Sequence, residues 1–147
     1  MLINVYWNKK TGDLLIPSEA KTDAGFWLDI EPVEHASIAD PSSVSNALSM
    51  VFAQSGNVVP TPPGNSKPVV LSYCKAKSWS DFMRKYSQVS VIQSGDGIYT
   101  IERYTPAAEG RGVVVDVDAR KVFPPGSSID DVVAELSRLA KEHDSEG

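Results

Sequence analysis

The sequence predicts an α+β domain: a mainly antiparallel sheet with about three helices packed on it, in one domain spanning residues 1–147. Three observations point there. The elements run strands, helix, helix, hairpin, strand, helix, without the regular strand–helix alternation of a doubly wound parallel sheet. Two turn signals, residues 9–13 and "SGDG" at 94–97, each sit between runs of β-formers. Three further segments combine a helix start signal with apolar residues at offsets of three and four. A chain of this length buries roughly 68–70% of its unfolded surface, so it needs no disulfide or metal to fold.

Each element follows from its residues. Leu2 to Trp7 alternate weakly, Lys9 to Asp13 turn the chain, and Leu14 to Ile16 begin the return strand. Gly25 to Val33 holds Phe26, Trp27, Leu28 and Ile30, and Pro32 places its far end at a sheet edge or just outside. Asp40 caps a helix that has Pro41 at its first position, where no amide hydrogen is required. Val44, Ala47, Leu48, Val51 and Phe52 form its apolar face, and Gly56 or Asn57 ends it. The stretch "VVPTPPGNSKP" is a rigid internal connection. Val69 to Tyr73 fits a strand or one buried turn of helix, and periodicity does not choose. Ser78 caps the next helix with Asp81 at its third position. Trp79, Phe82, Met83 and Tyr86 then face inward, and Arg84 and Lys85 outward. Val89 to Gln93 and Ile98 to Tyr104 flank the SGDG turn. Val113, Val115 and Val117 alternate with Val114, Asp116 and Asp118 in a last strand. Ser128 and Asp131 start the closing helix, whose face is Ile129, Val132, Val133, Leu136 and Leu139. Residues 141–147 are expected to fray.

Charge is unevenly spread. The net charge is −5, yet between Thr11 and Ser66 seven carboxylates face a single cation, Lys21. From Lys67 to Lys85 five cations face only Asp81. The acidic part repels nucleic acid and attracts a basic partner. One cysteine excludes an internal disulfide and a multi-cysteine metal site. The start lacks the pattern of a signal peptide, and no apolar run nears the roughly 20 residues that span a bilayer. A cytoplasmic protein without cofactor is the expectation.

Catalytic signals are sparse. A Cys74–His35 dyad has no local signature, and a lone cysteine is most often a packed small hydrophobe. Asp116 and Asp118 are the one carboxylate grouping suited to a divalent metal, as in a small metal-dependent nuclease. Charged residues alternating with valines are equally ordinary on a solvated strand face. No phosphate loop, nucleophile elbow or zinc motif occurs. Lys75, Lys77, Arg84 and Lys85 interleave with aromatics, as in an RNA-binding module, but helical spacing and overall acidity argue against that. The profile suits a protein that acts by binding rather than an enzyme.

The second half carries a resemblance. Ser78, Trp79, Asp81 and Phe82 open a helix. A Gly-containing turn then enters an aromatic-bearing strand at Gly97 to Tyr104, and a later strand leads through a proline and a serine-bearing loop to an amphipathic helix. Across residues 74–140 this resembles the immunity proteins of bacterial contact-dependent growth inhibition systems (CdiI-like). The resemblance implies a protein that binds and neutralises the toxin domain of a delivered effector, often a nuclease. A nuclease active site is basic, so the acidic first half gains a purpose. The interface candidates are Asp13, Glu19, Asp23, Asp29, Glu31 and Glu34, with Trp7 and Trp27 as aromatic anchors.

Overall fold

The computed structural model describes residues 1–64, 66–106 and 113–146. Three strands open the chain: β1 (Leu2–Asn8), β2 (Asp13–Thr22) and β3 (Trp27–Ser37). Helix α1 (Pro41–Gln54), a short β4 (Val58–Val59) and helices α2 (Val69–Cys74) and α3 (Trp79–Lys85) follow. Strands β5 (Tyr86–Gln93), β6 (Tyr99–Pro106) and β7 (Val113–Val122) lead to α4 (Ile129–Glu146). One sheet runs in the order β3-β2-β1-β5-β6-β7, every neighbour antiparallel, and β4 adds to β2 in parallel. The α+β class and the antiparallel sheet are as the sequence predicts, with four helices in place of three.

The two faces of the sheet are built differently. Ile3, Val5 and Trp7 of the central strand β1 share one face with Leu14, Ile16, Val89, Val91 and Ile101. That face is covered by Val44, Leu48 and Val51 of α1 and Val132, Leu136 and Leu139 of α4. The period of two in the strands meets the 3.6 period of the helices, and the result is the main core. On the opposite face, Tyr6 and Leu15 pack against Val70 and Leu71 of α2 and Phe82 of α3. These two short helices cover only part of that face.

Local signals fix the helix ends. The Asp40 carboxylate accepts from the Ser43 amide at 3.4 Å, and Ser78 Oγ accepts from the Asp81 amide at 3.2 Å. Ser128 and Asp131 form a reciprocal box: the Asp131 carboxylate accepts from the Ser128 amide at 2.8 Å, and Ser128 Oγ from the Asp131 amide at 3.4 Å. Val69–Tyr73 is helical because Pro68 starts a turn and Lys75, in the left-handed region at φ 55°, closes it. Gly12 has φ +74°, and a Cβ there would lie 2.7 Å from Ile38 Cγ2, so the β1–β2 turn requires glycine. Helix α4 continues to Glu146, into the segment expected to fray; Arg138 pairs with Glu142 at 2.9 Å across one turn. Gly147 and the side chains from His143 onward lie outside the described residues.

The inward stripe of α3 is narrower than helical spacing predicts. Phe82 is buried, but Trp79 is 42% exposed. Tyr86 is the first residue of β5 and stacks on Phe82 with centroids 4.5 Å apart and planes 5° apart. The helix ends one residue early because the chain turns directly into the sheet. Phe82→Ala is therefore expected to cost about 3–5 kcal/mol in urea unfolding. Trp79→Ala, which loses ring contacts to Tyr6 and Phe82 at a partly exposed site, is expected to cost about 1 kcal/mol.

Candidate functional site

The half-covered face forms a cleft. Its floor is the outward residues of β1 and β5, Asn4, Tyr6 and Gln88. The edge strand β3 supplies one wall through Trp27 to Glu31. The Pro-rich connection (Pro62, Pro63, Pro68) and Trp79 and Met83 of α3 supply the other. The cleft has a volume of about 730 Å³, within the range of binding clefts that are mostly apolar with a few convergent polar groups. Pro32 lies where β3 slips register against β2, between the Pro17–Val33 and Ser18–Ile30 pairs. Beyond the slip, Glu19 and Asp29 stand directly opposite each other.

A hydrogen-bonded network underlies the floor. Asn4 Nδ2 donates to Glu19 Oε1 at 3.1 Å and to Asp29 Oδ1 at 2.9 Å. Its oxygen accepts from Gln88 Nε2 at 3.1 Å and Ser90 Oγ at 2.7 Å. Ser90 spends its single proton on Asn4, so the Tyr104 hydroxyl, 2.8 Å away, donates to Ser90. The Tyr6 hydroxyl donates to Asp29 Oδ2 at 2.8 Å. Glu19 is fully buried, and its second oxygen receives no donor. Burial, followed by the hydrogen bond and charge of Asp29, raises the Glu19 carboxyl to about 11. Glu19 is thus held as a neutral acid opposite Asp29. Burial and the Asp29 carboxylate also push the Tyr6 phenol up.

The structure separates the predicted interface residues. Asp29, Glu31 and Trp27 come together at the cleft, with Lys21 Nζ 5.9 Å over the Trp27 ring. Asp13 and Asp23 are exposed elsewhere; Thr61 holds the Asp23 carboxylate by its amide and hydroxyl and lowers its pKa. Glu34 is half-buried on β3. Two candidates need correction. Glu19 is inside the network, and Trp7, 7% exposed, belongs to the main core, because alternation in β1 puts it with Ile3 and Val5. Sequence reasoning missed Asn4, Tyr6, Gln88 and Ser90. The available signal was a polar residue between apolar neighbours, Asn4 between Ile3 and Val5 and Ser90 between Val89 and Val91.

The other chemical groupings are placed as follows. Cys74 packs against the second cluster, its thiol 3.9 Å from the Tyr86 hydroxyl, while His35 Nε2 bonds the Tyr73 hydroxyl. Asp116 stands opposite Arg103 in the ladder, and a register shift interrupts β7 between it and Lys121. Among the described residues no three His, Cys, Asp or Glu side chains gather where they could hold a metal. Lys75, Lys77, Arg84 and Lys85 are exposed, and Arg84 pairs with Asp81 at 3.5 Å. Among the described residues no helix is long and apolar enough to cross a membrane.

No protein-family model matches the sequence, and no curated protein matches it significantly. The fold does have solved counterparts. A protein of unknown function from Neisseria meningitidis superposes with TM-score 0.67 at 11% identity, over 96% of this chain and 93% of that one. A chain of the CdiA-CT/CdiI toxin and immunity complex from Yersinia pseudotuberculosis superposes with TM-score 0.59 at 11% identity, over 97% and 95%. At this identity the likeness is one of fold.

The neutral Glu19 has a measurable consequence. An unfolded glutamate ionises near pH 4.5, whereas folded Glu19 keeps its proton to about 11. Between those limits the folded state holds one more proton, so this group's contribution to stability falls as pH rises. Glu19→Gln keeps the shape and a neutral side chain opposite Asp29 without a group to ionise. Its stability relative to the wild type is expected to be unchanged near pH 4. It should rise above the wild type by up to about 1.4 kcal/mol per pH unit from pH 5 to 9, read from urea unfolding at each pH.

Proposed function

We propose that the chain is an immunity protein that binds the toxin domain of a contact-dependent growth inhibition effector and neutralises it inside the producing cell. The observation that carries this reading is the near end-to-end likeness in fold to a chain of a toxin and immunity complex. The resemblance in residues 74–140 to the same class of protein supports it, and so does the acidic first half. In this reading the protein is not an enzyme, uses no cofactor and works in the cytoplasm. Its partner is a basic toxin domain, probed first as a nuclease. Association is steered by carboxylates that remain at the surface, Asp13, Asp23, Asp29, Glu31 and Glu34, with Trp27 beside them.

Calorimetry with the toxin domain encoded immediately upstream tests the reading. A one-to-one complex is expected, with an association rate falling at least about tenfold as salt rises from low to physiological strength. Co-expression should restore growth of cells that make the toxin. Absence of binding, or binding without protection, contradicts the reading.

A further inference from the structure

We propose that the cleft receives one basic side chain of the protein partner, its guanidinium or ammonium seated on Asp29, and that its entry releases to solvent the proton held by Glu19 opposite it. The proposal rests on the immunity reading and adds the point of contact and its dependence on pH.

The geometry is that of an acid pair awaiting a counter-charge. Glu19 and Asp29 face each other on adjacent strands, both tied to the same Asn4 amide. Two carboxyl groups this close do not both ionise unless a cation joins them. Among the described residues neither forms an ion pair with a lysine, arginine or histidine. The Glu19 oxygen that receives no donor is fully buried. The charged and titratable groups around the pair are Tyr6 from β1, Tyr104 from β6, Lys21 from β2, Glu31 from β3 and Lys67 from the Pro-rich connection. Among the described residues Lys67 is the only cation that lines the cleft, against the two carboxylates Asp29 and Glu31.

The walls suit the rest of a basic residue. Lysine and arginine bury an aliphatic stem against apolar surface while their charged end seeks a polar partner. Here Trp27, Trp79 and Met83 provide apolar and aromatic surface above a polar floor. Trp79 is also the large aromatic that its helix leaves 42% exposed. An aromatic face near a cation adds attraction of its own.

Calorimetry of the purified toxin domain in two buffers of different ionisation enthalpy, from pH 6.5 to 8.5, counts the protons. The wild type is expected to release about one proton per complex and to bind about tenfold more tightly for each pH unit. Glu19→Gln should bind with no such release and without that slope. Asp29→Asn should weaken binding at least about 30-fold. Circular dichroism confirms that each variant is folded. A wild-type proton count of zero, an equal count in Glu19→Gln, or undiminished binding by Asp29→Asn overturns the proposal and leaves the immunity reading standing. A wild type that does not bind the toxin at all overturns the reading itself.

Discussion

The open face of this molecule depends on one cross-strand pair. Glu19 and Asp29 occupy opposite positions on β2 and β3, on the side of the sheet that α1 and α4 do not cover. One is fully buried and keeps a proton; the other lines the cleft. A buried carboxyl without compensating bonds would be strongly unfavourable. The chain therefore surrounds the pair with Asn4, Tyr6, Gln88, Ser90 and Tyr104, drawn from β1, β5 and β6. Holding Glu19 neutral there costs stability that grows as pH rises.

The two faces also explain how a small domain combines rigidity with an open cleft. The main core fixes α1 and α4 side by side on one face of the sheet. The second cluster, around Tyr6, Leu15, Val70, Leu71 and Phe82, fastens two short helices over one part of the other face. What remains uncovered has walls of tryptophan and proline above a polar floor. The Pro-rich connection thus serves as a wall as well as a link between α1 and α2.

Much of the fold was legible because its signals are local. Asp40-Pro41, Ser78 with Asp81, and Ser128 with Asp131 each name a helix start through a side chain that bonds an amide three residues on. The SGDG turn is a two-strand signal contained in four residues. The site was far less legible because its determinants are tertiary. Glu19 looks like a surface acid in sequence, since nothing near it in the chain shows that β1 and β3 will enclose it. Trp7 looks like an anchor until β1 is placed at the centre of the sheet. Tyr86 keeps helical spacing from Trp79, yet the chain has already become β5 by that residue. The cleft joins residues from β1, β3, β5, α3 and a loop, and no window of sequence contains them together.

Placing the bound toxin on one face of the sheet tests the account most directly. A titration of isotope-labelled protein with the toxin domain, followed by two-dimensional NMR, reports every backbone amide and the indole groups of Trp7, Trp27 and Trp79 at once. The account predicts that the Trp27 and Trp79 indoles and the amides of residues 27–31 shift most, while Trp7 and the exposed surfaces of α1 and α4 stay still. Shifts confined to α1 and α4, with Trp27 and Trp79 unmoved, would contradict it.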